Sequence, residues 1–488
     1  MVSINLQQTA LNIGKDVLIH TAPMLARVSP LRQTVVWAGE KYIQLTRDHH
    51  GSSDSLPPGV IADQAEFGKA ILNTANRMLA SNLSPAVLRR LIDNMVQGIA
   101  LEGGDQKAMA RFAKANGMNP PGLLTISPGK TCNLRCTGCY ASAGPTSEKL
   151  DWDTFDRIIT EAKNLWGVRF LVISGGEPLA YRSEGKGLLE AAEKHPDIFF
   201  MMYTNGTLIT DEVATRMAST GNLTPAISVE GWRERTDERR GAGVFDKAVQ
   251  AMQRLRRAGV PFGISLTATR HNAEEIFSDE FIDFLFEKQG ALYGWIFHYM
   301  PIGRSFTLDL MPTPEQRVWM WRRTWEIIRE RHIFLADFWN HGTLSFGCIA
   351  GGRTRGGGYM YIDWNGHVSP CVFVPYSPLN INDVYASGGT LDDIWKNPFF
   401  ADIRDWQEGY WQSKGNWLAP CIIRDHHAVL RRLIAKHEPE PIDDSARKAL
   451  LDPEYAQGLF KYDEQYQSLT NPLWKDQYLN DGKNWRQN

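Results

Sequence analysis

Three cysteines stand close together in the segment Cys132-Asn133-Leu134-Arg135-Cys136-Thr137-Gly138-Cys139, at spacings of four and three. Thiolates are soft ligands, and three on one tight loop can converge on a single soft metal centre. Zinc is the plainer reading. A structural zinc takes four ligands, however, usually as two paired sets, and no fourth Cys or His lies nearby in the sequence. Three thiolates suit a 4Fe-4S cluster better, because its fourth iron stays open to a substrate or cofactor. The remaining cysteines, Cys348, Cys371 and Cys421, are spread through the last third of the chain. They suffice for one further cluster, or they are buried free thiols, a common fate of cysteine.

Other residues capable of chemistry follow short apolar runs. Ser174-Gly175-Gly176-Glu177-Pro178, Tyr203-Thr204-Asn205-Gly206 and Ser228-Val229-Glu230-Gly231 each come directly after such a run, and Asn272 follows a fourth. Glycines lack a side chain and let the backbone approach a ligand closely. The polar groups of Thr204, Asn205, Ser228 and Glu230 fall where parallel sheets bind ligands, beyond the carboxyl ends of strands. Ordinary turns and strand ends are the alternative for each taken alone. His341 is a lone histidine and reads as structural, with substrate contact as the alternative. Arg353 and Arg355 sit in a Gly-rich run and would clamp a phosphate or carboxylate if they are not simply solvated.

The elements that must position these groups are legible in the hydrophobic period. Residues 1–120 carry apolar positions at helical spacing, broken by the Gly/Pro/Ser run 49–59. From about residue 121 the period changes to short apolar strands alternating with amphipathic helices, the sign of βα units and a parallel sheet. Six strands are expected, at 123–126, 170–174, 199–203, 225–229, 262–267 and 294–299, with helices at 152–165, 187–194, 211–218, 245–258 and 279–288. Six repeats are too few for a closed eight-stranded barrel, so the fold class is α/β, a partial (β/α)6 barrel over 121–311. A helix over 313–331 opens a segment, 312–435, that includes a hairpin at 359–374 around Asn365-Gly366. Residues 436–488 read as a polar tail packed across the surface.

The ordered motifs resemble the radical S-adenosylmethionine (radical SAM) superfamily. Its CxxxCxxC loop is matched by Cys132, Cys136 and Cys139, its GGEP motif by Gly175, Gly176, Glu177 and Pro178, and its later strand-end segments by Thr204-Asn205 and Ser228-Val229-Glu230. The resemblance implies a catalytic 4Fe-4S cluster on the three cysteines and S-adenosyl-L-methionine held by Gly175, Gly176, Glu177, Pro178, Thr204, Asn205, Ser228 and Glu230, with Asn272 for the carboxylate. It also implies reductive cleavage of that cofactor to a 5'-deoxyadenosyl radical, which abstracts a hydrogen atom from an unactivated carbon. Gly138 is a departure, since many members carry an aromatic there that packs near the adenine. Gly243-Val244-Phe245-Asp246-Lys247-Ala248, Pro301-Ile302-Gly303-Arg304 and the hairpin ending in Cys371 are similar to the SPASM/Twitch subgroup, which implies an auxiliary iron-sulfur cluster on Cys348, Cys371 and Cys421 in a Twitch-like C-terminal domain. Where Twitch domains often end in CxxC, this chain has Cys421-Ile422-Ile423-Arg424, leaving Asp425, His426, His427, substrate or nothing as the fourth ligand.

Composition narrows the remaining choices. The 488 residues are 43% hydrophobic and 22% charged, as expected of a globular protein rather than a disordered or fibrous one. A formal net charge of -2 sets up no whole-chain field for nucleic acid. Six cysteines are too few for a disulfide scaffold, and neither a secretory signal nor a membrane-spanning run of about 18 apolar residues is present, so a cytoplasmic location is expected. Residues 1–47 hold five basic against two acidic side chains on an apolar helical pattern, which allows peripheral membrane contact. The expected partners are S-adenosylmethionine, a flavodoxin- or ferredoxin-type electron donor, and a peptide or protein substrate, with a lipid or small molecule as the alternative. A zinc-stabilised binding module and a bare electron carrier are the non-enzymatic alternatives.

Overall fold

A computed structural model describes residues 29–50, 56–95, 104–352 and 357–480. Arg353 and Arg355 lie outside these residues, as does most of the basic N-terminal stretch. A parallel series of seven strands forms the centre: β1 (Leu123–Ile126), β2 (Phe170–Ile173), β3 (Phe199–Thr204), β4 (Leu223–Val229), β5 (Gly263–Ala268), β6 (Tyr293–His298) and β7 (Phe334–Asp337). The first six are the strands expected from the sequence. The seventh is additional and follows the helix Pro314–Arg331, which ends at His332 in a left-handed conformation (φ 50°).

Each strand sorts its side chains by the two-residue period of a pleated backbone. Leu171 and Ile173 of β2, Phe200 and Met202 of β3, Ile264 and Leu266 of β5 and Leu335 of β7 are fully buried in the layer beneath the helices. Their neighbours Phe170, Val172, Met201, Tyr203, Ser265, Thr267, Phe334 and Ala336 point the other way and line a central cavity. The helices complete the outer layer. Trp152–Trp166 starts at Asp151, whose carboxylate accepts from Thr154 N at 2.8 Å, and stops at Gly167 in the left-handed region (φ 71°). Its buried stripe, Trp152, Phe155, Ile158, Ile159, Ala162 and Trp166, recurs at helical spacing, and each large member contributes roughly 1.5–3 kcal/mol of burial.

The C-terminal hairpin does not form a separate sheet. Strand β8 (Tyr359–Ile362) pairs in parallel with β1, in the register Leu123↔Tyr359 to Ile126↔Ile362, and β9 (His367–Ser369) pairs antiparallel with β8. With Leu379–Asn380 at its outer edge, one ten-stranded sheet carries both cysteine sets. The expected surface tail is instead helical, at Asp444–Leu451 and Pro453–Leu473, and it buries Tyr455, Leu459, Tyr462 and Tyr466. The helix expected over 279–288 breaks into Asp279–Asp283 and a π-helical turn, Phe284–Gln289.

The helix Pro58–Ala80 is tied to the barrel and to the C-terminal helical segment at Asp63. Its carboxylate accepts from Tyr478 Oη at 2.7 Å and Thr343 Oγ1 at 2.9 Å, and it pairs with Arg329 at 3.3 Å. Among the described residues no helix is long and apolar enough to cross a membrane.

Candidate active site

The loop after β1 is held on every side by backbone contacts. Cys132 N donates to Gly144 O at 3.0 Å, Thr137 N to Arg239 O at 2.9 Å, and Arg304 N to Cys139 O at 3.0 Å. Gly176 N and Glu177 N donate to Gly129 O and Thr131 O, both at 2.9 Å, so the GGEP segment lies directly against the start of the loop. That approach is why Gly176 must be glycine: a Cβ there would lie 2.2 Å from Thr131 O. The Pro301-Ile302-Gly303-Arg304 segment makes the corresponding contact on the other side, where a Cβ on Gly303 would lie 2.1 Å from Tyr140 O. Gly138 adopts φ 65°, and the Tyr299 ring occupies the space beside it, 2.5 Å from where a Cβ would stand. An aromatic ring therefore reaches the Gly138 position from β6 rather than from the loop itself.

All six cysteines line one cavity of about 420 Å³. Burial pushes the free Cys132 thiol up to about 11 and Cys371 up to about 12, so each needs a metal to displace its proton near neutral pH. The donor set fits iron-sulfur clusters better than single ions. Each set offers three thiolates, which leave one iron of a 4Fe-4S cluster open, whereas a structural zinc takes four ligands. A tetrahedral zinc would need its ligands about 2.0–2.3 Å away.

The cofactor residues expected from the sequence divide into two groups. Gly175, Gly176, Thr204, Asn205 and Ser228 line the cavity. Tyr140 joins this wall to the cysteine loop: Gly175 N donates to its hydroxyl at 3.1 Å, and the hydroxyl shares a hydrogen bond with Ser174 Oγ at 2.5 Å. Asn205 Nδ2 donates to Asn133 Oδ1 at 3.0 Å, which fixes the end of β3 to the same loop.

Glu177, Pro178, Glu230 and Asn272 lie behind this wall rather than on it. The Glu177 carboxylate, raised by burial, accepts from Thr204 Oγ1 at 2.7 Å, Asn205 N at 2.9 Å and Leu179 N at 3.2 Å, while Pro178 starts the buried turn that follows. Asn272 is saturated, with Oδ1 accepting from Thr269 N and Thr269 Oγ1 and Nδ2 donating to Glu230 O and Thr267 O. Glu230 accepts from Arg239 and Arg240 and from Thr267 N at 3.2 Å. These three polar side chains shape the site from behind.

Arg239 and Arg240 are the residues that the sequence reading missed. They end the helix Arg233–Arg240, line the cavity, and Arg240 lies within the field of Cys136 and Cys139. The visible signal was an Arg-Arg pair closing the helix just after Ser228-Val229-Glu230-Gly231.

Around the second cysteine set, the suggested side chains face away from the cavity. Both Asp425 oxygens bind Arg317, and Oδ2 also accepts from Cys421 N at 3.0 Å. His426 Nε2 donates to Ala419 O and His427 Nδ1 to Ile423 O, both at 2.9 Å, and none of the three lines the cavity. Arg424, at the missing cysteine position, is fully buried and donates from Nη2 to His298 Nδ1 at 3.0 Å. That bond places the His298 proton on Nε2, which donates to Asp337 Oδ2 at 3.0 Å. Burial lowers His298 to about 4, so the ring is neutral, while Asp337 is held anionic by His298 and by the Trp339 and Asn340 amides. His341 also lines the wall, its Nδ1 accepting from Asp337 N at 3.1 Å.

Comparison with known proteins decides the family. Residues 126–279 match the model of the radical SAM superfamily, and residues 348–422 match that of an iron-sulfur cluster-binding domain, SPASM. The mycofactocin maturase MftC of Mycobacterium tuberculosis is 33% identical over 299 residues, covering 59% of this chain and 74% of the relative. The chain belongs to the radical SAM superfamily, in its SPASM-bearing branch. A second relative, the AdoMet-dependent heme synthase of Methanosarcina barkeri, is 28% identical over 323 residues, covering 59% of this chain and 86% of that protein. Among solved structures, Streptococcus suis SuiB bound to precursor peptide SuiA shares the fold, with a TM-score of 0.51 and 18% identity over 70% of this chain and 83% of that one. As a radical SAM enzyme, the protein uses a 4Fe-4S cluster, S-adenosylmethionine and an auxiliary iron-sulfur cluster to remove a hydrogen atom from an unactivated carbon by radical chemistry. Membership in this family sets aside the zinc-module and electron-carrier alternatives.

Proposed function

We propose that the protein is a cytoplasmic peptide-modifying enzyme in which Cys132, Cys136 and Cys139 hold the catalytic cluster and Cys348, Cys371 and Cys421 hold the auxiliary one. The observation that carries this reading is the single cavity shared by all six sulfurs, because one substrate can then meet both centres. Gly175, Gly176, Thr204, Asn205 and Ser228 bind the cofactor from the wall. Arg239 and Arg240 supply the positive charge for its carboxylate, the role first sought at Asn272.

The aromatic side chains Phe170, Tyr203, Trp295, Phe297, Phe334 and Phe338 line the same cavity, and such a wall suits an apolar peptide side chain while excluding water. The relation to a maturase and the fold shared with a precursor-peptide complex support a peptide. The heme synthase relative supports a small-molecule substrate as the second reading. With Asp425, His426 and His427 off the cavity wall, the fourth iron of the auxiliary cluster faces substrate or solvent. The reducing electron comes from a flavodoxin- or ferredoxin-type carrier. Peripheral membrane contact rests on the exposed Val35, Trp37, Tyr42 and Leu45 of the helix Ser29–His50.

Iron and sulfide analysis of anaerobically purified protein tests the ligand assignment. About eight irons per chain are expected, with about four left in the Cys132→Ala/Cys136→Ala/Cys139→Ala variant and about four in the Cys348→Ala/Cys371→Ala/Cys421→Ala variant. Zinc without iron in the parent protein would overturn it.

A further inference from the structure

The hydroxyl of Tyr359 stands 2.8 Å from Cys371 Sγ, in a setting that holds the ring in place. Tyr359 opens β8 and is held in the parallel ladder opposite Leu123, with its N–H donating to Ile349 O at 3.0 Å. The residue is 3% exposed, and the Phe338 ring packs against it edge-on at 6.3 Å. As a cluster ligand Cys371 is a thiolate with no proton to give, so on that assignment the hydrogen bond runs from the Tyr359 hydroxyl to sulfur. Cys371 Sγ also accepts from Phe373 N at 3.4 Å. In the first cysteine set, the sulfur of Cys132 has a backbone donor, Leu134 N at 3.4 Å, and the amide of Asn205 at 3.9 Å.

We infer that Tyr359 is a positioning residue for the auxiliary cluster, donating its hydroxyl hydrogen bond to the Cys371 thiolate and thereby raising the reduction potential of that cluster. This rests on the assignment of Cys371 as a cluster ligand. A donor aimed at a ligand sulfur draws off negative charge, and the reduced cluster, which carries one more electron, gains most from it. A raised potential makes the auxiliary centre the better acceptor for an electron leaving an oxidised substrate. The bond belongs to the auxiliary site alone, so it separates the potentials of two clusters that share one cavity.

The test uses the Cys132→Ala/Cys136→Ala/Cys139→Ala protein, in which only the auxiliary cluster is expected, with and without Tyr359→Phe. The phenylalanine keeps the ring and removes the hydroxyl. Unchanged iron and sulfide with a midpoint potential shifted to more negative values, read by an EPR-monitored redox titration, is the expected result. Unchanged iron with an unchanged potential overturns the inference and leaves the ligand assignment standing. Should Cys371→Ser keep full iron and an unaltered EPR signal, the ligand assignment itself fails, and the inference with it. Where Tyr359→Phe loses iron, the triple variant made with 3-fluorotyrosine supplies a stronger hydroxyl donor. Its potential is expected to rise, and no rise overturns the inference.

Discussion

Replacing Gly176 by alanine tests whether the cysteine loop is held in place by the close approach of two backbone segments. The new Cβ would stand 2.2 Å from Thr131 O, 2.4 Å from Lys130 O and 2.6 Å from Lys130 C, all main-chain atoms that cannot rotate away. Gly176 has no positive φ, so the whole effect is one of space. To restore ordinary contact the loop must retreat by about 1 Å, and overpacking of this kind costs roughly 1–3 kcal/mol. The same movement stretches the Gly176 N to Gly129 O and Glu177 N to Thr131 O hydrogen bonds, now both 2.9 Å, at about 1 kcal/mol each. The sum is on the order of 3–5 kcal/mol, concentrated on the turn that leads into Cys132. Expected results are a lower anaerobic unfolding midpoint, reduced iron at the first cysteine set, and 5'-deoxyadenosine formation lowered about 100-fold, the scale of a 1 Å misplacement. Gly144→Ala is the control, because nothing lies within 4 Å of its added Cβ although Gly144 O accepts from Cys132 N. Parental iron content and parental 5'-deoxyadenosine formation in Gly176→Ala would refute the reasoning.

Two further outcomes follow from buried charges. Arg317→Met should destabilise the protein by about 3–5 kcal/mol in denaturant titration, because Asp425 would stay buried without its partner. Iron at the second cysteine set should fall with it, since Asp425 also orders Cys421 N, and Arg317→Met/Asp425→Leu should recover much of the stability. Asp63 is raised by burial to about 6, against the pull of Arg329 and its hydrogen-bond donors. Between about pH 4 and pH 6 the native state therefore holds more protons than the unfolded chain, so stability present near pH 4 is lost as the pH climbs through 6. The midpoint of the parent relative to Asp63→Asn should fall over that range, and a constant difference would show that Asp63 has an ordinary carboxyl pKa.

The period of the apolar residues is enough to place β1 to β6, and the order of cysteine loop, GGEP, Thr204-Asn205 and Ser228-Val229-Glu230 is enough to indicate radical SAM chemistry. What lay beyond reach depends on contacts distant in sequence. Nothing local to Tyr359–Ile362 announces a parallel partner in β1, some 230 residues earlier. The motifs place Glu177, Glu230 and Asn272 at strand ends, but a motif does not say which way a side chain faces, and in the fold each hydrogen-bonds neighbouring backbone, threonine or arginine groups. Residues 436–488 were read from their polar composition, yet Tyr455, Leu459, Tyr462 and Tyr466 already recur at helical spacing and become the buried stripe of a 21-residue helix. Strand β7 is a four-residue run, no shorter than β1 or β2, but it follows the helix Pro314–Arg331, which the sequence assigns to the segment after the six repeats.

The pairing of β8 with β1 has a consequence for how the enzyme measures its substrate. Tyr359 to Ile362 and Leu123 to Ile126 are locked by a ladder that cannot slip by one residue without turning every side chain of β8 to the other face. The loop of Cys132, Cys136 and Cys139 follows β1 and Cys371 follows β9, so the distance between these two parts of the cavity wall is set by strand geometry. Cys348 lies in the connection between β7 and β8 and is tied to the same ladder, since Tyr359 N donates to Ile349 O at 3.0 Å. On the proposed ligand assignment, a substrate that meets both centres must match a span set by the sheet rather than by a loop.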